Sequence, residues 1–239
     1  STMQTILYKA NSRGNANHGW LQSFHTFSFA SYHNPNRMNF GAMRVLNDDT
    51  VAAGRGFDMH RHLNMEIVSI PLSGDLEHKD SMGNQTVIQE GDIQVMSAGT
   101  GIDHSEHNKN SDREVQFLQI WIMPNQRPVK PRYDQIKINE HHLKNEFVQI
   151  LSPNQDDEGV WIYQDAWFHM GDFTQEQTLV HKLHKKGNGL FVFVLEGSAH
   201  AAGELLDRRD AIGVYDIVQL EITAQSDSKI LLIEVPMQF

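Results

Sequence analysis

The 239-residue chain consists of short apolar runs separated by turn residues, and helical periodicity is nearly absent along it. Such runs include Met65–Pro71, Val115–Met123, Leu190–Leu195 and Ile230–Val235. The stretch Asp80–Asn84 (Asp-Ser-Met-Gly-Asn) is typical of a tight turn between two antiparallel strands. Many short strands at this spacing predict an all-β sandwich or barrel rather than alternating strands and helices.

A proline-rich stretch from Pro124 to Pro131 interrupts this pattern near the middle of the chain. Three prolines within it remove backbone donors and stiffen the chain, so a strand cannot continue through it. On its far side, Phe191–Gly197 resembles Ile67–Gly74, because each is an apolar run that ends in a glycine turn. We therefore predict an internal duplication and two β domains, residues 1–131 and 132–239.

Composition excludes several classes of function. A formal net charge of −10 argues against nucleic acid as a direct partner, because binding phosphates requires a concentrated basic surface. The absence of cysteine excludes disulfides, thiolate zinc sites and iron–sulfur clusters, so nitrogen and oxygen atoms must hold any metal. Neither a membrane-spanning segment nor a signal-peptide pattern is evident, and we expect a cytoplasmic protein with no membrane partner.

Two short segments carry the residues with the strongest chemical signal. His60 and His62 lie two residues apart in an extended segment, so their side chains project from the same face. Further along, His104 and Glu106 repeat this spacing behind a glycine-rich turn. Either pair alone belongs to a solvated polar surface more often than to a metal site. Together, two strands that each offer two ligands from one face predict a metal centre.

The same segments resemble the two motifs of the cupin family. The matching residues are Gly54, His60, His62 and Glu66 in the first motif, and Gly91, Gly99, His104 and Asn108 in the second. The second motif departs from the general pattern, since Ser97 replaces the usual proline and His104 falls two residues late. These departures, together with the runs His25–Ala30 and Glu77–Asn84, are similar to pirins, in particular to the bacterial pirin-like quercetin 2,3-dioxygenases.

This resemblance implies a bicupin, with two tandem jelly-roll-like cupin barrels, a metal-binding N-terminal domain and a degenerate C-terminal one. It also implies that His60, His62, His104 and Glu106 are the metal ligands. Cupins in general take their carboxylate from the first motif, here Glu66, and strand parity does not reject that residue. Pirins use the glutamate two residues after the third histidine. We therefore favour Glu106 and assign Glu66 a supporting position.

Three imidazoles and one carboxylate suit one divalent transition metal, with Fe(II) as our first expectation and Cu, Mn, Ni, Co or Zn as alternatives. The resemblance implies an oxidoreductase that cleaves the heterocyclic ring of a flavonol such as quercetin with O2. Glu106 would then be catalytic as the general base. The alternative is a redox-sensitive regulatory pirin that acts through protein partners, with the metal as its switch.

Other residues receive smaller roles. A set of large side chains is expected either to line the pocket for a flat aromatic ligand or to belong to the plain barrel core: Phe40, Met43, Met59, Met65, Phe117 and Trp121. His25 is expected at the pocket mouth or in a structural position. His181 and His184, three residues apart, should project from opposite faces of a strand, which predicts no second metal site. His141 and His142 lie in a polar connecting stretch.

Overall fold

The computed structural model describes residues 2–138 and 143–239, so His141 and His142 lie outside the described residues. Within these ranges the chain forms 22 strands and a single turn of 3-10 helix at Ala10–Ser12. No helix in the described part is long and apolar enough to cross a membrane. The all-β class expected from the apolar runs is confirmed.

The first half of the chain contributes twelve strands. They are β1 (Gln4–Tyr8), β2 (Gly14–Asn17), β3 (Leu21–His25), β4 (Met43–Val51), β5 (Gly56–His62), β6 (Glu66–Ser73), β7 (Asp75–Asp80), β8 (Gln85–Gln89), β9 (Asp92–Ser97), β10 (Ile102–Asn108), β11 (Val115–Ile122) and β12 (Arg132–Lys137). All except β1 belong to two sheets. The larger has the order β12-β9-β6-β11-β4-β3-β2, and the smaller has the order β5-β10-β7-β8.

The second half repeats this arrangement. Its strands are β13 (Val148–Ser152), β14 (Val160–Trp161), β15 (Trp167–Phe173), β16 (Gln177–Lys182), β17 (Asn188–Glu196), β18 (Ala199–Ala201), β19 (Glu204–Leu206), β20 (Ala211–Tyr215), β21 (Gln219–Ala224) and β22 (Ser228–Pro236). The larger sheet has the order β1-β20-β17-β22-β15-β13-β14, and the smaller has the order β16-β21-β18-β19. The predicted pair of cupin domains is therefore confirmed, as jelly-roll-like two-sheet sandwiches rather than closed barrels.

Sheet membership differs from the predicted division at residue 131 in two segments. Strand β1, from the N-terminal end, pairs antiparallel with β20 of the C-terminal domain. Strand β12, beyond the proline-rich stretch, pairs with β9 and so extends the N-terminal sheet. Pro124–Pro131 therefore connects two strands of one sheet. Each large sheet therefore includes one edge strand from the other side of residue 131: β12 in the N-terminal sheet and β1 in the C-terminal sheet.

The largest apolar cluster lies between the two domains rather than inside either one. It joins side chains of the N-terminal large sheet, such as Ile70 and Ile120, to side chains of the C-terminal large sheet, such as Phe191 and Ile233. Separate clusters fill the space between the large and small sheets of each domain. The central strands consequently bury both faces, which explains why they appear as continuous apolar runs without alternation.

Charged residues also join the domains. Asp48 on β4 accepts hydrogen bonds from Arg13 at 3.0 Å and from Arg209 of the C-terminal domain at 2.8 Å. The Arg209 side chain is only 4% exposed, and its Nε also donates to the Leu195 carbonyl at 2.9 Å. One carboxylate thus neutralises two buried guanidinium groups.

We predict that Asp48→Asn lowers the free energy of unfolding by about 3 kcal/mol, because it leaves the buried Arg13 guanidinium without a counter-charge and Arg209 with only the exposed Glu196 carboxylate at 3.3 Å. Urea denaturation followed by tryptophan fluorescence measures this difference. Asp112→Asn, at an exposed position, is the matched control and should leave stability unchanged. Equal effects of the two substitutions would contradict a stabilising role for Asp48.

Candidate metal centre

Three histidine rings converge between strands β5 and β10. Cα register places His104 on β10 directly opposite His60 on β5. The His104 Nε2 atom lies 3.0 Å from Nε2 of His60 and 2.9 Å from Nε2 of His62. Candidate ligand atoms of all three residues lie within 4.8 Å of one another. The pairing of the two predicted ligand segments on neighbouring strands is thus present in the fold.

The Nε2 atoms of these rings face one another. The Nδ1 atom of His60 lies 2.7 Å from the Asp58 carbonyl oxygen, which can only accept, so a proton on Nδ1 is hydrogen-bonded there and Nε2 is the atom that faces the other rings. Burial, together with the neighbouring imidazoles, lowers the pKa of both His62 and His104 to about 3. Protons cannot satisfy three nitrogens that converge at these distances. A transition-metal ion accepts all three lone pairs, so the residues fit such an ion.

The glycine turn before β10 brings His104 into position. Gly99 has φ +53°, and a Cβ atom there would lie 2.2 Å from the Val129 carbonyl oxygen. Gly101 has φ +141°, and its Cβ would lie 2.2 Å from the Arg61 guanidinium. Side chains are excluded at both positions, which explains the Gly-Thr-Gly sequence. The chain can therefore turn sharply and enter β10 beside β5.

Glu106 presents a free carboxylate oxygen beside the histidines. Its Oε1 lies 3.7 Å from His104 Nε2 and accepts a hydrogen bond from Gln119 Nε2 at 2.7 Å. Gln119 in turn accepts from Trp121 Nε1 at 3.2 Å, so the orientation of the carboxylate is fixed. The Oε2 atom is buried and has no hydrogen-bond partner within the described residues. Glu106 is not among the residues whose ligand atoms all lie within 4.8 Å of one another, but its position beside His104 and its unpaired buried oxygen make it the candidate for a fourth ligand.

Glu66 forms hydrogen bonds at the junction between the two domains. Its Oε1 accepts hydrogen bonds from Ser97 Oγ at 2.7 Å and from the backbone N–H of Tyr163 at 2.8 Å. Burial raises its pKa, while these hydrogen bonds and the charge of Arg132 act in the opposite direction. Glu66 therefore ties the N-terminal domain to the C-terminal one. It does not line the cavity that contains the histidines.

A cavity of about 330 Å³ is lined by His60, His62 and Glu106, although not by His104. Its apolar wall consists of Leu21, Phe29, Phe57 and Trp121, and its polar wall includes Ser23, His25, Asn47, Asp49 and Gln119. This volume falls within the range of roughly 300–1,000 Å³ that is usual for small-molecule sites. A larger hollow of about 960 Å³ at the domain junction contains none of the four predicted ligands, so we place the site in the smaller cavity.

The six large apolar side chains divide between the two predicted alternatives. Only Trp121 borders this cavity. Phe40 and Met43 pack at the domain junction, and Phe117 lies in the core beneath the small sheet, so the core alternative is confirmed for these three. Met59 is 56% exposed, and Met65 borders a different hollow. Burial of both faces of the large sheet draws Phe40, Met43 and Phe117 into cores rather than into the cavity.

Asp49 is a cavity residue that the sequence did not single out. It is buried, accepts a hydrogen bond from Ser23 Oγ, and has a pKa raised to about 7, chiefly by burial. The available signal is the i, i+2 spacing of Asn47 and Asp49 on β4, which places both side chains on one face of the strand. His25, expected at the pocket mouth or in a structural position, lines the cavity and bonds Asn47 Oδ1 through Nδ1 at 2.9 Å.

A buried pair supports the ligand strand from behind. His78 lies directly opposite Glu106 in the β7–β10 register, and its Nε2 is 2.6 Å from Asp80 Oδ2. Its ring centroid is 5.4 Å from that of His104 and 4.6 Å from that of Tyr133. These contacts restrict the His104 ring. The pair belongs to the run Glu77–Asn84 on which part of the family resemblance depends.

The prediction that His181 and His184 project from opposite faces of a strand is wrong. Strand β16 ends at Lys182, so His184 lies beyond it and strand parity does not apply. The structure brings both residues to His169 on β15, a residue that the sequence did not single out.

The fold consists of two jelly-roll-like sandwiches, and histidines converge on adjoining strands of the N-terminal one. These features define a protein of the cupin class. Known families agree with this assignment. The Pirin family model matches residues 8–122, and the model described as the quercetinase C-terminal cupin domain matches residues 149–235. The chain belongs to the pirin family.

Similar proteins match along nearly the whole length. A protein of Escherichia coli K12 named quercetin 2,3-dioxygenase is 41% identical over 230 residues, which cover 96% of this chain and 98% of the relative. A pirin-like protein of Caulobacter vibrioides is 36% identical over 92% of this chain and 95% of its own. The crystal structure of the Escherichia coli pirin YhhW in complex with nickel(II) has a TM-score of 0.92 and 39% identity, covering 98% and 99% of the two chains.

The raised pKa of Asp49 predicts a pH-dependent stability. The pKa of Asp49 is about 7 in the folded protein and 3.8 for an ordinary aspartate. Between pH 3.8 and about pH 7, the folded state therefore binds more protons than the unfolded state. The free energy of unfolding must then fall as the pH rises through this window. Asp49→Asn removes the dependence while keeping an oxygen that accepts from Ser23. Because one pKa unit corresponds to about 1.4 kcal/mol, the variant should gain a few kcal/mol over the parent at pH 8.

Urea denaturation of the metal-free protein at pH 4 and pH 8 measures this gain, which should nearly disappear at the lower pH. Asp112→Asn should follow the parent at both pH values. A difference between Asp49→Asn and the parent that does not change with pH would show that Asp49 ionises normally.

Proposed function

We propose that this protein is a metal-dependent dioxygenase that opens the heterocyclic ring of a flavonol-type substrate with O2. The observation that carries the proposal is the convergence of three imidazole nitrogens, with a Glu106 carboxylate oxygen 3.7 Å from one of them, at an aromatic-lined cavity. The relatives named quercetin 2,3-dioxygenase support the same chemistry. The partners are accordingly a small aromatic molecule and O2.

We assign the metal to His60, His62, His104 and Glu106. The three histidines supply nitrogen ligands, and Glu106 has one carboxylate oxygen 3.7 Å from His104 Nε2 and the other buried without a partner. Glu66 also has an unpaired Oε2, but its Oε1 accepts two hydrogen bonds at the domain junction and the residue does not line the cavity that contains His60 and His62, so we exclude it from the set. Fe(II) remains our first expectation among the divalent ions that this donor set suits. The nickel-bound relative shows that a pirin of this type accepts Ni(II).

The protein's own residues prepare the substrate. Phe29, Phe57 and Trp121 form an apolar wall against which a planar aromatic system packs. When bound, the metal would supply Lewis acidity that lowers the pKa of the flavonol 3-hydroxyl. Glu106 accepts the proton of this hydroxyl at a carboxylate oxygen. Asp49, with a pKa of about 7, lies on the same cavity wall and is suited to proton exchange at neutral pH.

The deprotonated flavonol is electron-rich and reacts with O2. Both oxygen atoms enter the products, the heterocyclic ring opens, and one ring carbon leaves as carbon monoxide. The apolar wall limits access of water to the reacting carbon atoms, which favours this outcome over release of a partly oxidised substrate.

Oxygen uptake with quercetin tests the proposal directly. Metal-free protein reconstituted with Fe(II), Ni(II), Cu(II), Mn(II), Co(II) or Zn(II) in turn should consume O2 and release carbon monoxide with at least one of these ions. Glu106→Gln should lower the rate about 100-fold or more, because it removes both a ligand and the general base. His107→Gln is the matched control on the same strand and should keep the parent rate. Failure of all six forms to consume O2 contradicts the proposal.

Metal content separates the two candidate glutamates. We predict that Glu106→Gln loses metal during gel filtration, whereas Glu66→Gln retains it, because only Glu106 has a carboxylate oxygen free beside the histidines. Elemental analysis of both variants after identical reconstitution measures this. Loss of metal from Glu66→Gln with retention by Glu106→Gln would reverse the assignment.

A further inference from the structure

A second group of histidines lies in the C-terminal domain, outside the cavity described above. His169 on β15 and His181 on β16 have ring centroids 4.7 Å apart, close to the 4.5–4.8 Å separations among the three N-terminal rings. His184, just beyond β16, has its ring 5.3 Å from that of His169 and 6.4 Å from that of His181.

Two of these residues are buried without hydrogen-bond partners. His169 is 8% exposed and His181 is 9% exposed. The Nδ1 atom of His169 and the Nε2 atom of His181 are both inaccessible to solvent and lack a partner in the part of the chain that the structure describes. Leaving a buried polar nitrogen unpaired is unfavourable, and two adjacent cases require an explanation. Burial lowers the pKa of His169 to about 3 and that of His181 to about 4, so both rings are neutral and keep a lone pair.

The position of this group in the fold also indicates a ligand site. By sheet order, β16 is the counterpart of β5, and β15 is the counterpart of β4. His181 therefore lies on the strand equivalent to the one that carries His60 and His62, and His169 lies on the strand equivalent to the one that carries Asp49. The group occupies the C-terminal counterpart of the N-terminal cavity, although its members are not sequence equivalents of the N-terminal ligands.

The third histidine provides access from solvent. His184 is exposed, stacks on Trp167 at 4.7 Å with the two ring planes 5° apart, and has its backbone N–H bonded to both carboxylate oxygens of Glu234. Its backbone is thus anchored, while its ring lies at the surface above two buried rings. Among the described residues, only the N-terminal histidines bring all ligand atoms within 4.8 Å of one another. Closure of the C-terminal group on an ion therefore requires the His184 ring to move towards the two buried rings.

We propose that His169, His181 and His184 form a second metal site that binds a divalent ion favouring imidazole ligands, such as Zn²⁺, Ni²⁺ or Cu²⁺. The ion accepts the lone pairs of the two buried nitrogens and removes their unpaired state. Nitrogen ligands without a free carboxylate favour these late transition metals over Mg²⁺, Ca²⁺ or Mn²⁺. The site is independent of the proposed dioxygenase activity, because it shares no residue with the N-terminal centre.

Zinc stoichiometry tests the proposal. Metal-free full-length protein is titrated with ZnCl2 in a calorimeter, and bound zinc is counted by elemental analysis after gel filtration. The parent should bind two ions, and His169→Gln/His181→Gln should bind one. His60→Gln/His62→Gln should also bind one, and the variant that combines all four substitutions should bind none. His33→Gln/His200→Gln, at exposed positions, is the control and should still bind two.

The remaining zinc in each double variant also reports on folding, since a variant that keeps the other site is folded. If the buried double variant does not fold, His184→Gln in the His60→Gln/His62→Gln background replaces it. That exposed substitution should weaken zinc binding and reduce the zinc-induced rise in melting temperature. One zinc per parent chain, with none bound by His60→Gln/His62→Gln, overturns the proposal. Unchanged binding after loss of His169 and His181, or of His184, overturns it as well.

Discussion

Burial of both faces of the central strands is the constraint on which the rest of the structure depends. In each large sheet, one face packs on the small sheet of the same domain and the other packs on the second domain. Strand β17 is buried along nearly its whole length as a result. A slip of one residue would move every side chain to the opposite core, so register is strongly specified. The positions of side chains at the strand ends are fixed in the same way.

The metal centre depends on that rigidity. The converging arrangement of the three imidazole rings is maintained by the contacts that each ring makes with its surroundings. His60 is fixed by the Asp58 carbonyl, Trp121 packs edge-on against His62, and His78 packs against His104. Such preorganisation means that little reorganisation is needed when an ion binds. The free energy of folding, rather than that of metal binding, orders the three rings.

Local sequence patterns predicted most of the central strands and the convergence of the histidines. They did not predict which distant strands pair with one another. Apolar runs located most central strands, and the i, i+2 spacing of His60/His62 and His104/Glu106 located the centre, because both depend on strand geometry alone. The exchange of β1 and β12 between domains depends on which distant edges meet, which no local pattern records. His169 was missed because its partners lie on another sheet. His184 was misassigned because parity was applied beyond the end of β16.

The two domains show how one topology supports different chemistry. On β10, His104 lies opposite His60, whereas on β21 the residue opposite His181 is Leu220. In the C-terminal group, the histidine beside His181 is therefore His169 of the large sheet rather than a residue of β21. Its nearby carboxylate, Glu234, already accepts hydrogen bonds from the His184 and Lys185 backbones and from Asn188. Glu106 retains a buried oxygen without a partner. Under the proposed function, its carboxylate would offset the charge of an ion and accept a proton, and acid–base catalysis would be confined to the N-terminal domain.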